Sequence, residues 1–312
     1  MIDSRSFRFD FVCCYSGIVA LAMMVAVAAP ALGQRGGKTD EALKPRPVQL
    51  KTKDGADLNS FYFPSEKGKQ AVPVIIIHEW KGQAGPYGAL CLALRKAGFA
   101  VLALEYRGHG KSRTYQDPRT RTEKEYNIAT MGKRDFEAIV AYDLEEAKQF
   151  LKKENNAGRL NLNALAIIGV EEGAILAMHW SSRDWRFPSV GRKKQGQDVK
   201  ALVLVSPEKN HAGVAIDTVL RDANVVSLPI MVLAGKQSPQ GSDSQRLGKR
   251  LETSKRRANK GVSTGLQLEF PSTNLSGAAL IREVGPVTPS IIKFLEESVP
   301  ISDTVNPWIE RQ

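Results

Sequence analysis

Histidine and cysteine are scarce in this sequence, and their distribution excludes several kinds of site. The 312 residues include four histidines and three cysteines. No histidine follows His211, so chemistry that needs a histidine in the last hundred residues cannot be built. Cys13 and Cys14 lie in an apolar N-terminal stretch, and its removal leaves Cys91 without an intramolecular disulfide partner. Neither a cysteine pair nor zinc-ligand spacing supports a redox or zinc site.

Acidic residues are outnumbered by basic ones. The 44 Lys and Arg against 33 Asp and Glu give a formal net charge of +11 and a pI of about 9.5. Such an excess favours anionic partners. The basic residues are spread along the chain without a nucleic-acid-binding motif, so we expect no nucleic-acid partner and only weak contact with anionic surfaces. Lys255-Arg256-Arg257 with Lys260 is typical of a solvated helix end, and a partner-binding patch is the alternative there.

The N-terminal residues are typical of an export signal. Two arginines precede an apolar stretch from Phe11 to Leu32, and Ala31-Leu32-Gly33 fits a small-x-small cleavage site. We therefore expect residues 1–33 to be a signal peptide and the protein to be periplasmic or secreted. The alternative is an uncleaved membrane anchor, because the stretch is about long enough to span a bilayer.

The remaining sequence predicts one domain of alternating strands and helices. Residues 34–47 are rich in Gly, Pro and charge and predict a linker, residues 48–298 the folded domain, and residues 299–312 a C-terminal tail. Continuous apolar strands separated by helices favour an α/β fold with a mostly parallel, doubly wound sheet of about eight strands. The predicted strands cover residues 48–53, 58–63, 72–78, 99–105, 164–170, 201–206, 229–234 and 266–270. The main predicted helices cover residues 87–96, 134–153, 242–253 and 287–297, with another that follows the fifth strand and ends near residue 181.

Residues 164–174, ALAIIGVEEGA, predict a buried strand, a sharp turn and a helix. Gly169 and Gly173 flank Glu171 two positions away on each side. That is the spacing of a nucleophile elbow, in which a strained turn lifts one side chain above the end of a sheet. Small neighbours are needed because the strand and helix backbones approach closely. The common form is G-x-S-x-G, so glutamate stands where an attacking serine is expected.

Together with two other loops, this turn resembles the α/β-hydrolase superfamily over about residues 48–297. Residues 74–80, VIIIHEW, look like the family's third strand and oxyanion-hole loop. The resemblance implies that Glu79, Trp80 and Glu172 lie where backbone N–H groups face a developing negative charge. Residues 105–112, EYRGHGKS, look like the loop after the fourth strand. Short esterase-like and dienelactone-hydrolase-like members are the most similar in style.

Two of the family's catalytic positions carry serine in this chain. The family's acid follows the seventh strand, and residues 235–239, GKQSP, place Ser238 there, with Asp243 as the nearest carboxylate. The family's histidine follows the eighth strand before a glycine, and residues 271–277 place Ser276 or Leu275 there. With glutamate at the elbow as well, no catalytic triad is intact in the family's order.

The resemblance therefore implies an exported protein with the α/β-hydrolase fold that has lost hydrolase activity. We expect such a pseudo-hydrolase to bind a small ligand or an exported macromolecule. The alternative is a divergent hydrolase that acts without serine on an ester-type or related small substrate. No cofactor is implied.

Different roles are open for Glu171. A free glutamate is ionised at neutral pH and attacks esters weakly, so we expect a structural anion. Its carboxylate would accept hydrogen bonds from backbone N–H groups near Glu79, Trp80 and Glu172, which would lower its pKa. The alternative is a carboxylate nucleophile, as in family members with Asp at the elbow. A metal site that also includes His78 is disfavoured because adjacent strand residues point to opposite faces, and we expect no metal.

Overall fold

A single eight-stranded sheet forms the centre of the protein. The computed structural model describes residues 43–311 except residues 118 and 192, so the predicted signal peptide and most of the predicted linker lie outside the described residues. The strands are β1 (Arg46–Lys51), β2 (Asp57–Phe63), β3 (Pro73–Ile77), β4 (Ala100–Leu104), β5 (Leu165–Val170), β6 (Val199–Val205), β7 (Ile230–Leu233) and β8 (Leu266–Glu269). Their spatial order is β1-β2-β4-β3-β5-β6-β7-β8.

The sheet is parallel except at its first edge. β2 runs antiparallel to both β1 and β4, and the other neighbours are parallel. In the middle, Ile75 of β3 pairs with Leu102 of β4 and with Ile167 of β5. Every residue of these three strands is buried. The predicted mostly parallel sheet is confirmed.

Helices cover both faces of the sheet. They are α1 (Gly88–Lys96), α2 (Lys133–Ala138), α3 (Leu144–Asn156), α4 (Glu172–Trp185), α5 (Ala223–Ser227), α6 (Gly241–Ala258), α7 (Gly277–Glu283) and α8 (Val287–Ser298). Alternate residues of β3 enter different cores: Ile75 and Ile77 pack towards α2 to α6, and Val74 and Ile76 towards α1, α7 and α8. This two-residue period buries both faces, which explains why the strand is continuously apolar. Among the described helices, none combines the length and apolarity needed to cross a membrane.

The long helix predicted at residues 134–153 is interrupted. Residues Ile139–Asp143 form a π-helical segment between α2 and α3. The wider turn ends at Asp143, whose buried carboxylate accepts hydrogen bonds from the backbone N–H of Arg107 at 2.8 Å and from its guanidinium at 2.6 and 2.9 Å. Arg107 also donates to Asp54 at 2.6 and 2.9 Å. The helix is interrupted where it contacts the loop after β4, and the two contacting residues, Asp143 and Arg107, are 36 positions apart in the sequence.

The C-terminal tail packs against the domain. The side-chain amides of Asn155, Asn161 and Asn163 donate to the backbone carbonyls of residues 309, 306 and 307 at 3.0, 2.8 and 3.0 Å. Near its end, the guanidinium of Arg311 pairs with the buried carboxylate of Asp198. The tail is therefore held by side chains from α3 and from the turn before β5.

Candidate functional site

The turn between β5 and α4 has a strained backbone at Glu171. This non-glycine residue has φ 51° and ψ −114°. Such a conformation costs on the order of 1–3 kcal/mol and persists only where surrounding contacts hold it. Here the backbone N–H of Glu171 donates to Val205 at 2.9 Å, and its carbonyl accepts from Ala174 at 3.0 Å. The turn therefore has the geometry of an elbow.

The two elbow glycines are required by close backbone contacts. A Cβ atom on Gly169 would lie 2.5 Å from the carbonyl oxygen of Gly173. A Cβ atom on Gly173 would lie 2.3 Å from the carbonyl oxygen of Ile77 in β3. Both distances are far below an ordinary van der Waals contact, and the opposing atoms are backbone atoms. Glycine at both positions lets α4 start directly against β5 and β3.

The carboxylate of Glu171 contacts the loop after β8. The hydroxyl of Ser276 donates a hydrogen bond to Glu171 Oε1 at 3.1 Å. A Cβ atom on the next residue, Gly277, would lie only 2.4 Å from the same oxygen. The elbow residue and the residue at the predicted histidine position are thus in contact, and they carry a carboxylate and a hydroxyl. The prediction that this carboxylate accepts from backbone N–H groups near Glu79, Trp80 and Glu172 is wrong, because the donor is the hydroxyl of Ser276.

A different glutamate reaches the loop after β3. The backbone N–H of Trp80 donates to Glu172 Oε2 at 3.0 Å. Glu172 is the first residue of α4, so its side chain leaves the turn in another direction than that of Glu171. A carboxyl group therefore does occupy the predicted oxyanion loop, but it belongs to the residue after the elbow.

Glu79 is held from the other side of this loop. The hydroxyl of Tyr87 donates to Glu79 Oε2, and the hydroxyl of Tyr106 donates to the carbonyl oxygen of Glu79 at 3.0 Å. The side chain of Glu79 lies over Gly82, where a Cβ atom would be 2.4 Å from its carboxylate carbon. Three carboxylates, those of residues 79, 171 and 172, therefore stand around the elbow.

Burial and neighbouring charge raise the pKa of Glu171 to about 7. Burial is the largest cause, and the carboxylates of Glu172, Glu79 and Glu208 also raise the pKa, whereas the Ser276 hydrogen bond lowers it. The predicted lowering is wrong because burial and the neighbouring carboxylates outweigh the Ser276 hydrogen bond, and the N–H of Trp80, one of the expected donors, donates to Glu172 instead. At neutral pH the elbow carboxyl is thus divided between its protonated and ionised forms.

Sequence reasoning missed Glu208 in the loop after β6. Its backbone N–H donates to the carbonyl oxygen of Glu171 at 3.3 Å, and its Oε1 accepts from the side chain of Gln240 at 2.9 Å. A signal was present, because Glu208 closely follows a predicted apolar strand of a parallel sheet. Ligand-binding residues gather at the carboxyl ends of such strands.

His211 is the second residue missed. It lies on a two-residue strand, Asn210–His211, in the loop after β6. Its ring centroid is 4.5 Å from that of Trp80, and its Nδ1 is 3.8 Å from Glu172 Oε1. Burial lowers the pKa of His211, while Glu172 and Glu208 oppose this shift. Chain order alone placed this histidine too early for a catalytic role, but the fold brings it beside the elbow.

Two further histidines near the elbow are buried and neutral. Burial lowers the pKa of His78 to about 3 and that of His109 to about 4. Nδ1 of His78 contacts the carbonyl oxygen of Glu79 at 2.7 Å, and Nδ1 of His109 contacts that of Arg107 at 2.9 Å. Their Nε2 atoms have no hydrogen-bond partner among the described residues. Both rings belong to an aromatic cluster with Tyr106 and Trp80.

The side chains at and near the predicted acid position form local contacts. The hydroxyl of Ser238 donates to the carbonyl oxygen of Gly235 at 2.8 Å, within the turn after β7. Asp243, the nearest carboxylate in sequence, pairs with Arg246 on α6 at 2.9 Å. Each side chain is engaged locally. Within the described part of the chain, no group of three or more His, Cys, Asp or Glu residues is arranged to hold a metal ion.

Comparisons with known proteins agree with this architecture. A family model described as serine aminopeptidase, S33, matches residues 68–212, which include the elbow but not the loops after β7 and β8. The esterase Pf2001 of Pyrococcus furiosus superposes with a TM-score of 0.57 at 16% identity, over 85% of this chain and 96% of that one. A carboxyl esterase of Bacillus coagulans has a TM-score of 0.57 at 12% identity, over 82% of this chain and 99% of that one.

A third structure extends the likeness to a peptidase. An acylaminoacyl peptidase of Pyrococcus horikoshii has a TM-score of 0.56 at 13% identity, over 82% of this chain and 41% of that one. No curated protein matches this sequence. At these identities the solved structures establish the fold alone. Together with the sheet order, the elbow turn and the family match over residues 68–212, they show that the chain has the α/β-hydrolase fold.

Proposed function

We propose that this protein uses the α/β-hydrolase scaffold to bind a ligand or partner rather than to hydrolyse esters. The hydrogen bond between Ser276 and Glu171 carries the proposal. A hydrolase of this fold needs a nucleophile at the first position and a histidine base at the second. A carboxylate paired with a hydroxyl supplies neither the serine nucleophile nor the histidine base.

The loop after β3 supports the same proposal. The N–H of Trp80, which in a hydrolase would face the developing oxyanion, donates to the carboxylate of Glu172 at 3.0 Å. A carboxylate in this place repels a negative transition state instead of stabilising it. With Glu79, Glu171 and Glu208 also near the turn, a ligand bound above the elbow is neutral or cationic rather than anionic.

We also propose that binding takes place outside the cytoplasm. The apolar stretch followed by Ala31-Leu32-Gly33 supports export and cleavage before Gln34. The partner is then a small molecule or a macromolecule of the periplasm or the extracellular medium.

A divergent hydrolase remains the second candidate, and one pKa and one contact favour it. A carboxyl group with a pKa of about 7 has the acidity that general acid–base catalysis needs at neutral pH, and Glu171 is such a group. His211 stands beside Glu172, with 3.8 Å between Nδ1 and Oε1. In this candidate, Glu171 exchanges a proton with a water or substrate held against the loop after β8.

Ester hydrolysis by the purified protein separates the two candidates. The substrates are p-nitrophenyl acetate and butyrate, and the proteins are wild type, Glu171→Gln, Glu252→Gln and denatured wild type. Glu252 lies on α6 and pairs with Arg256 at 2.7 Å, so its variant loses a carboxylate away from the elbow. We expect all four to give the same background rate. Turnover that is lost in Glu171→Gln but kept in Glu252→Gln would establish the hydrolase instead.

A further inference from the structure

A large cavity lies away from the elbow, between α6 and the segment before β7. Its volume is about 730 Å³, within the range of roughly 300–1,000 Å³ that holds small organic ligands. On one side it is lined by Arg250, Thr253, Ser254 and Arg257. These residues are three, four and seven positions apart, so they form one face of α6. We call this cavity the basic groove.

The opposite wall combines an apolar floor with polar residues at the rim. It is built from the 3-10 helix Ile216–Arg221 and from α5. Leu220 and Val226 are 7% and 2% exposed and form the floor. Arg221 stands exposed at the rim. The groove therefore offers apolar contact in its depth and guanidinium groups at its mouth.

The charges that line the groove do not cancel. Three arginines face one carboxylate, that of Asp217, which already pairs with Arg250. Among the described residues, Arg221 and Arg257 have no ion-pair partner. Two guanidinium groups at one cavity repel each other, and an anion bound between them removes that repulsion.

The basic residues 255–257, predicted to be a solvated helix end, make different contacts. Lys255 is fully buried and donates to the carbonyl oxygen of Leu228 at 2.5 Å, so the prediction is wrong for this residue. Arg256 pairs with Glu252. Arg257 lines the groove. Its place in the last turn of α6 also complements the helix dipole, but that explanation does not extend to Arg221, which lies on another element.

We propose that the basic groove binds a small organic anion. Arg221 and Arg257 hold its phosphate or carboxylate group, and its apolar body packs on Leu220 and Val226. None of the residues that line the groove belongs to the elbow, and the charge of the groove is opposite to that of the elbow. The groove is therefore a second site, and it does not depend on the function proposed for the first.

The test measures binding of 1-naphthyl phosphate by isothermal titration calorimetry at fixed ionic strength. We expect saturable binding at one site, and at least about tenfold weaker binding by Arg221→Gln/Arg257→Gln, because each arginine supplies a charge-assisted hydrogen bond. Arg119→Gln/Arg282→Gln is the matched control, since it removes the same charge from exposed positions elsewhere. Arg221→Lys/Arg257→Lys keeps the charge and should bind more tightly than the glutamine pair.

Three further ligands test which parts of 1-naphthyl phosphate the basic groove recognises. The neutral 1-naphthol and inorganic phosphate should each bind more weakly than 1-naphthyl phosphate, because each lacks one half of the contact. Comparison with 1-naphthylacetate decides between phosphate and carboxylate. Equal affinity in wild type and the glutamine pair would overturn the proposal. An equal loss of affinity in Arg119→Gln/Arg282→Gln, or the absence of saturable binding, would also overturn it. So would tighter binding of a single-stranded oligonucleotide than of 1-naphthyl phosphate.

Discussion

The hydroxyl of Ser276 donates a hydrogen bond to the carboxylate of Glu171 at 3.1 Å, although the two residues are 105 positions apart in the chain. The resemblance to α/β-hydrolases predicts that these positions correspond to the family's nucleophile and base. On that prediction, the contact between the two positions is kept and its chemistry is changed. The scaffold around it is also kept, because Gly169 and Gly173 still allow the strained turn that brings the first side chain towards the loop after β8.

The stability of the protein should respond to pH through Glu171. Its folded-state pKa of about 7 lies above the usual value of 4.5, so the folded state holds a proton that the unfolded state has lost between these pH values. This contribution to stability is fully present below pH 4.5 and is lost as pH rises through 7. Glu171→Gln keeps the shape without the charge. We expect it to be more stable than wild type at pH 7.5, by on the order of 1 kcal/mol after solvent screening, and nearly equal at pH 4.5.

Urea unfolding at the two pH values measures this difference. Glu296→Gln is the control, because Glu296 is exposed on α8 and its loss should change the gap to wild type little between pH 4.5 and pH 7.5. A Glu171→Gln protein less stable than wild type at pH 7.5 would show that the charged carboxylate is stabilised in place. A stability difference between wild type and Glu171→Gln that is the same at both pH values would show that the titration of Glu171 does not affect stability.

Alanine at the second elbow glycine should destabilise the fold. The new Cβ atom of Gly173→Ala would meet the carbonyl oxygen of Ile77 at 2.3 Å, so α4 must move away from β3. We expect a loss of about 1–3 kcal/mol in the free energy of unfolding, the usual range for overpacking. Gly88→Ala is the matched control at the start of α1, because no atom lies within 4 Å of its Cβ position. Thermal unfolding measures this. An equal decrease in melting temperature for both variants would contradict the packing argument.

Restoring serine at the elbow should not restore ester hydrolysis. Glu171→Ser recreates G-x-S-x-G, but Ser276 cannot act as the base and Glu172 still occupies the N–H of Trp80. We expect its rate with p-nitrophenyl acetate to equal that of wild type and of denatured protein. A rate above this background, lost again on Glu171→Ala, would mean that another group serves as the base, and His211 would be the first candidate.

The exported protein should begin at Gln34. Intact-mass analysis after expression of the full sequence measures this directly, because cleavage after Gly33 removes a defined mass. A substitution of Gly33 by a large residue should slow or displace the cleavage. Recovery of uncleaved protein in the membrane fraction would support the membrane anchor instead.

The fold class was predictable because its signals are local. The run from Val74 to Ile77 is apolar at every position, as a strand buried on both faces requires. The spacing of Gly169 and Gly173 around Glu171 follows from backbone approach within one turn. The π-helical interruption at Ile139–Asp143 had no such signal, because it accompanies a contact between Asp143 and Arg107 across the fold.

At the site as well, some features were predictable from the sequence and others were not. The sequence by itself determined that glutamate stands at residue 171, that serine stands at residue 276 and that no histidine follows His211, since residue identity needs no coordinates. Only the tertiary structure decided which carboxylate reaches which loop. The positive φ of Glu171 accompanies a side chain directed at Ser276, while Glu172, one residue further on and already helical, faces Trp80. The pKa of Glu171 follows from that arrangement, because burial and the surrounding carboxylates outweigh one hydroxyl hydrogen bond while the N–H of Trp80 donates to Glu172.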